Sequence, residues 1–418
     1  MKLNQVEKRT FFLLILAAFF NGFVFSSFQI QDIIAKKALH AYDWQITILV
    51  MLWPISNLLS IWWGKILEHS KSLSKFFVLT AFVGRLSLIF MLWVHNYYQY
   101  LVILIVIFSF SAFISPARNS IYQMNITWKN RGIIFGYTSS LITLVIICTS
   151  FMAGKILDIN ENWFRYIFAV VGIMGCIGAL IMALIKIKKR SFEDKAFLNL
   201  KQFFVKPIKR TLEVLKENRD FAIFQRNFFI YGVSFMILLP AIPKYLVEYL
   251  QMNYTHTFLA KGIISQIGIL FLAPFAGKIF DRKNPALFTT LIFLIISFYP
   301  FTLLISSLFI RYSFVNYIVY LAFFIFGIAM SGLIISWNIS SIYFAGKEDV
   351  SMYQGVHVTL TGVRGLFAPF LGLLIMKTLG IRALFCTAMF LFLLASTLSY
   401  KLYLAMDKKE LKISIYGK

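Results

Sequence analysis

Gly277-Lys278-Ile279-Phe280-Asp281-Arg282 closes a long apolar run, and its first five residues are written, with small changes, twice more. Gly64-Lys65-Ile66-Leu67-Glu68 ends the second apolar run, Gly154-Lys155-Ile156-Leu157-Asp158 the fifth, and the copy at 277 the eighth. Recurrence at every third run marks a membrane protein assembled from three-helix units, an architecture that points to a transporter. The first and third copies lie 213 residues apart and are predicted on one membrane face. The second follows the first by 90 residues and is predicted on the other face. Equal sequence on opposite faces is what an inverted three-plus-three repeat gives. A shorter echo relates the two halves: Asn119-Ser120-Ile121-Tyr122 ends the fourth run and Ser340-Ser341-Ile342-Tyr343 the tenth.

Composition sets the class. Of 418 residues, 60% are hydrophobic and only 14% charged, more apolar surface than a soluble chain can hide. The formal charge of +24 would suggest nucleic acid in a soluble protein. Here the basic residues sit between apolar runs, where they set orientation and meet anionic lipid, so no nucleic-acid partner is expected. Cys148, Cys176 and Cys386 fall within apolar runs and read as small buried hydrophobes, not as disulfides or metal ligands. Lys8-Arg9 precedes a run that continues to Phe28 with no small-residue cleavage site, which reads as an uncleaved first span.

Twelve spans are expected, at 11–32, 45–64, 76–94, 99–122, 133–157, 164–185, 221–247, 257–278, 285–308, 315–344, 351–376 and 382–405. The fold class is an all-α polytopic membrane protein of two pseudo-symmetric six-helix bundles, 1–185 and 221–405. A basic linker, 186–220, joins them, and 406–418 forms a tail. The linker holds Lys186, Lys188, Lys189, Arg190 and further cations, which places it and both termini in the cytoplasm and the chain in the plasma (inner) membrane. Phe197, Leu200, Phe203 and Phe204 recur at helical spacing among its lysines, as a short helix lying on the inner leaflet would require.

These features resemble the major facilitator superfamily. Gly277-Lys-Ile-Phe-Asp281-Arg282 is similar to the Gly-x-x-x-Asp-Arg core of that family's loop motif between spans eight and nine. Gly64 to Glu68 is a degenerate copy between spans two and three, with His69 in place of the arginine. Arg131-Gly132 after span four and Trp163-Phe-Arg165 entering span six also look like family features. Glycine in the motif lets neighbouring helices approach closely. The acid four residues on sits at its own helix's C-terminus, where the dipole is unfavourable to an anion. It therefore needs another partner, such as a basic side chain or the N-terminus of an adjacent helix. The resemblance implies that this contact links opposite halves when the cavity faces outward, making Gly64, Glu68, Gly277, Asp281 and Arg282 gating residues. The alternative is ordinary loop capping.

Polar residues fall on single helical stripes in several spans: Asn21, Gln29 and Asp32 in the first; Ser111, Ser115, Arg118 and Tyr122 in the fourth. The seventh offers Asn227, Tyr231 and Ser234, the tenth Ser331, Asn338 and Ser341, the eleventh His357, Thr361 and Arg364. The resemblance implies that spans one, four, seven and ten line the cavity with eleven beside them. Hydroxyls and amides also serve as glue between membrane helices, so charged residues are more informative. Burying one costs about 2.5–3.5 kcal/mol on insertion scales. Arg364, near the middle of span eleven, is the strongest candidate. Arg85 is also mid-span, but in a span the family places peripherally, and reads as structural. No Asp or Glu lies at the centre of a span, so a coupling proton would have to use Asp32 or His357. Buried cations with few buried anions favour a solute carrying a carboxylate or phosphate.

The expected function is a secondary-active or facilitative carrier of a small organic solute working by rocker-switch alternating access, monomeric and without cofactor or metal. Amphiphile or drug efflux is the alternative within the class, although the Arg…Gln-Gly and Gly-Pro signatures of drug–proton antiporters are absent from spans four and five. A non-transporting receptor keeps the same fold. No Gly-x-x-x-x-Gly-Lys-Ser/Thr loop supports ATP-driven transport. An enzyme would need clustered His, Cys or carboxylates within the spans, and the chain has five His and few buried acids.

Overall fold

The computed structural model describes residues 3–68, 72–187, 209, 211–282, 284–346 and 350–416. They are helical almost throughout, with no strand among the described residues. The linker's aromatic face, Phe197 to Phe204, lies outside the described residues.

Local chemistry starts and stops the helices. α1 (Gln5–Lys37) opens with a capping box in which Asn4 Oδ1 accepts from Glu7 N at 2.8 Å and Glu7 Oε2 from Asn4 N at 3.0 Å. Lys36 and Lys37 lie in its last turn, where cations suit the dipole. α2 (Asp43–Glu68) contains Pro54. α3 runs over Leu73–Trp93, but only Leu73–Leu79 is regular α-helix; Thr80–Arg85 is a π-turn and Leu86–Trp93 a 3₁₀ segment. α4 (Tyr97–Asn125) is capped by Asn96, and α5 (Trp128–Ile159) follows after a two-residue turn. α6 is Phe164–Ala183.

Residues 211–217 are helical ahead of α7, whose regular part is Arg219–Leu238, capped by Asn218; the span extends to Tyr249. α8 has three parts: Tyr254–Phe258, a π-turn at Leu259–Ile264, and Ser265–Arg282. α9 (Pro285–Ser306) has proline in its first turn and Asn284 as its cap. α10 (Val315–Ala345), α11 (Val350–Thr378) and α12 (Gly380–Tyr416) complete the chain. The stretch 406–416, expected as a tail, is the end of α12. Its run Asp407-Lys-Lys-Glu-Leu-Lys is rich in helix-forming residues.

Eleven helices among the described residues are long and apolar enough to cross a membrane; α2 is not one of them. Large apolar side chains point outward along the spans, Phe12 at 66%, Phe90 at 63% and Phe390 at 63% exposure, as a hydrocarbon solvent permits and water does not. Cys148 and Cys386 are exposed on α5 and α12, and only Cys176 is buried. The expectation that all three are buried is thus corrected. An apolar run serves the bilayer face as well as the interior, because lipid is as apolar as a core.

The chain divides into two compact units. One comprises Met1–Asn199 with Gln251–Ile263, the other Leu200–Leu250 with Ile264–Lys418. The boundary in α8 falls at the end of its π-turn, so the first turns of α8 belong to the first unit. The first unit's interior is apolar and close-packed around Leu14, Phe77, Phe113, Ile121 and Met182. In the second, Phe228, Tyr231, Phe293 and Phe392 from α7, α9 and α12 stack together, Tyr231 lying 4.7 Å from Phe293 at an interplanar angle of 7°.

Candidate solute-binding site

In the second unit, α7 and α11 place a buried polar seam inside this aromatic packing. Arg364, 4% exposed, donates from Nη1 to the main-chain oxygen of Phe228 at 2.6 Å and from Nη2 to Thr361 Oγ1 at 3.1 Å. Thr361 in turn donates to His357 O at 2.9 Å. The guanidinium lies 5.9 Å from the Phe228 ring and 6.0 Å from the Tyr231 ring. Gly232 makes this possible: a Cβ built there would overlap the guanidinium itself. Two turns before Arg364 on α11, His357 Nδ1 lies 2.9 Å from Gln225 Oε1, and the imidazole packs edge-on against Phe228 and Trp337.

Several polar atoms of this seam are buried and have no hydrogen-bond partner among the described residues: Arg364 Nε, Gln225 Nε2, His357 Nε2 and, farther along α7, Asn227 Nδ2. A native interior leaves few such groups, and each costs about 1–3 kcal/mol while unspent. Among the described residues of the second unit no carboxylate is buried, so the charge of Arg364 has no internal counter-ion there. The arrangement can accept an anion or an oxygen-rich group.

Of the residues that helical spacing singled out, the structure unites Arg364, Thr361, His357 and Tyr231. Asn227 is buried, but its oxygen accepts from Arg226, at 3.3 Å from Nε and 3.2 Å from Nη2. Ser234, in the same stripe, donates to Ala388 O at 2.6 Å and is a joint between α7 and α12. Ser115 and Asn338 lie on α4 and α10, with side chains outside the described residues. The gating candidates Gly64, Glu68, Gly277, Asp281 and Arg282 lie at the ends of α2 and α8, and their side chains likewise lie outside the described residues.

In the first unit, Asn21 and Arg118 line a small cavity of about 30 Å³ with Phe25, Tyr122 and Thr138. Asn21 donates to Ala17 O on its own helix, and Tyr122 bonds Thr138 at 2.9 Å. Arg118 packs 5.8 Å from the Phe135 ring, its Nε without a partner among the described residues. Gln29 is half-buried on α1. Asp32 is elsewhere: it is buried and ion-paired with Lys261 of the α8 π-turn, and also accepts from Ile33 N. Arg85 is buried in the α3 π-turn, packed against Gly175 of α6, with Nε and Nη1 lacking a partner among the described residues.

The second pentapeptide shows what its pattern does. Asp158 at the end of α5 accepts from the first main-chain N–H groups of α8, Tyr254 at 2.7 Å and Thr255 at 3.0 Å. Asn253 accepts from the next, His256, at 2.8 Å, so the orphan donors of that helix start are satisfied. A Cβ on Gly154 would stand 3.0 Å from Thr255 Cα; the glycine is what brings the two backbones together. Lys37 adds a bond to Met252 O at 2.8 Å and stands over the Tyr254 ring. The acid at an unfavourable C-terminus is thus held by the favourable N-terminus of another helix.

Sequence reasoning missed Gln225, Gly232, Lys261 and Glu7. Lys261 was visible as a cation inside an apolar run. Glu7 was visible in the spacing Asn4-x-x-Glu7, although that pattern gives no hint that Glu7 Oε1 also accepts from Thr127 N and Oγ1, at 2.9 and 2.7 Å, capping α5. Nothing marked Gln225 among the other polar residues that open α7.

Long apolar helices carrying buried polar side chains are those of a polytopic membrane protein. The chain belongs to the Major Facilitator Superfamily, whose family model matches residues 10–342. Solved structures of the same fold include a POT family transporter in complex with 5-aminolevulinic acid (14% identity, 97% of this chain and 96% of that one, TM-score 0.73). The nucleoside transporter NupG is another (13% identity, 95% and 98%, TM-score 0.67). A bacterial homologue of the human lysosomal transporter Spinster is a third (13% identity, 96% and 99%, TM-score 0.63). No curated protein matches the chain in sequence.

Proposed function

We propose that the protein is a secondary-active or facilitative carrier of a small organic solute bearing negative charge. It works by rocker-switch alternating access of two six-helix halves, without nucleotide hydrolysis. The observation that carries the reading is Arg364. It is a cation buried in an apolar helix with no buried carboxylate among the described residues of its unit, held by two bonds but with Nε unspent among those residues. A solute carboxylate would supply the missing charge and acceptors at once. Membership of a transporter family whose members' fold this chain shares supports the carrier class. The solutes named for structural neighbours, nucleosides and 5-aminolevulinic acid among them, show how widely cargo varies on this fold and do not choose one here.

In this reading α2 is the twelfth span, the protein works as a monomer in the plasma membrane, and the basic linker and both termini face the cytoplasm. The first and third pentapeptides act at the cytoplasmic gate. Asp32, engaged by Lys261, and His357, engaged by Gln225, are the groups through which a proton could couple.

The test is a thermal-shift screen of purified protein with small carboxylates, each beside its uncharged amide. Stabilisation confined to the charged members, and lost in Arg364→Gln, is expected. Equal stabilisation by both members, or hits that survive the substitution, would remove the anionic reading.

A further inference from the structure

The Gln225–His357 pair is the part of the α7–α11 seam that an anion at Arg364 leaves unused. Both side chains are 2% exposed, they meet at 2.9 Å, and Gln225 Nε2 and His357 Nε2 are both buried without a partner among the described residues. What the pair can still bind follows from its valence, whichever way amide and ring are assigned. With a neutral imidazole whose Nδ1–H donates to Oε1, the ring's Nε2 is a bare acceptor and the amide NH₂ an unspent donor. With the amide turned so that its nitrogen donates to Nδ1, the ring carries its hydrogen on Nε2 and the amide oxygen is unspent. Either way one donor and one acceptor remain beside each other, and leaving both unpaired in an apolar interior is unfavourable.

The pair is rigidly held. Both residues lie on helices, and the ring is fixed between Phe228 at 4.7 Å and Trp337 at 5.4 Å between centroids. Arg364 follows His357 by seven residues on the same face of α11, about 10 Å along the axis at the helical rise. Thr361 lies between, bonded to both.

We infer that Gln225 and His357 form a specificity-determining site for a neutral group that both donates and accepts, on the same solute whose anion Arg364 holds. An amide edge fits both valences, as does a hydroxyl. The cargo class is therefore an elongated carboxylate with an amide or hydroxyl at its far end. A purely apolar monoanion is rejected because it would bury the pair unsatisfied. This inference rests on the reading of Arg364 as the anion site.

The two can be tested separately with purified full-length protein and matched probes. 3-(4-Carbamoylphenyl)propanoate carries both end groups. 3-(4-Isopropylphenyl)propanoate keeps the shape and the anion but loses the amide. 3-(4-Carbamoylphenyl)propanamide keeps the amide but loses the anion. The same three combinations on aliphatic chains of increasing length vary the separation. The expected result is that the best carboxylate–amide probe binds about tenfold or more tightly than its isopropyl partner. Gln225→Met is expected to reduce that ratio to near one while the preference for carboxylate over diamide stays. If Gln225→Met does not fold, His357→Leu, which likewise removes the donor–acceptor pair, is read for the same ratio. Equal binding of amide and isopropyl members, a ratio untouched by the substitutions, or no binding by any carboxylate–amide probe overturns the inference and leaves the pair a packing element. Diamides that bind wild-type protein as well as carboxylates overturn the reading of Arg364 instead.

Discussion

Gly232→Ala is the smallest change that tests how Arg364 is held. A methyl group at 232 would occupy the place of Arg364 Cζ, Nε and Nη1. The obstacle it meets is the far end of a long side chain, not backbone, so α7 and α11 need not separate. The guanidinium instead swings away and gives up its bond to Phe228 O. Loss of a hydrogen bond to a charged group costs about 1.5–3 kcal/mol. Overpacking elsewhere costs about 1–3 kcal/mol, and the lower end applies because a flexible group yields. The solute in turn loses its own bond to the displaced charge, a separate loss of about 1.5–3 kcal/mol, roughly ten- to a hundredfold in affinity. The assay is equilibrium binding of the anionic solute that most stabilises the wild-type protein, with thermal unfolding measured in parallel. Affinity is expected to fall at least tenfold, and the unfolding temperature of the unliganded protein to fall with the lost internal bond. Unchanged affinity would show that the position of the guanidinium does not matter to binding. An equal loss for charged and uncharged solutes would show that the site, and not the charge, was disturbed.

Asp158→Ala removes the acceptor for two helix-start donors and is expected to cost about 0.5–2 kcal/mol, read as a lowered unfolding temperature, with Asp158→Asn milder. Gly154→Ala acts on the same contact, so its effect combined with Asp158→Ala should fall short of the sum in a double-mutant cycle. Asp32→Asn leaves Lys261 as a largely buried charge without its carboxylate and is expected to destabilise by about 3–5 kcal/mol. Asp32→Asn with Lys261→Met should recover part of that loss, and a double variant no better than the single would contradict the pairing. Glu7→Ala removes the α5 cap and an acceptor for Thr127 and Asn130, and should lower stability by about 1–3 kcal/mol in the same measurement, with no change in the wild-type preference for charged solutes.

The spans were legible because hydrocarbon demands long apolar helices, and hydropathy reports that demand directly. Arg364 was legible for the complementary reason: a cation in mid-span must have a use or a partner. His357 and Thr361 followed from the helical period, which sets residues seven and three before Arg364 on its stripe. Asn21 and Ser234 lie on their stripes but bond Ala17 O and Ala388 O, so part of their polarity is spent on backbone. The stripe rule says nothing about partners on other helices. Asp32 and Lys261 are 229 residues apart, and Gln225 and His357 132, separations at which no local pattern speaks. The π-turns in α3 and α8 were invisible because hydropathy does not record hydrogen-bond register. Gly232 gave no signal at all, since the need for an absent side chain arises only when Arg364 arrives from α11.

The central claim is that the protein carries an anionic solute whose charge is met by Arg364. The most direct measurement is uptake of the best-binding labelled carboxylate into proteoliposomes containing wild-type protein, Arg364→Gln or no protein. Saturable uptake by wild type alone, competed by other carboxylates and not by their amides, is the predicted result. Uptake by Arg364→Gln equal to wild type, or wild-type uptake no faster than that of empty liposomes, would contradict the account.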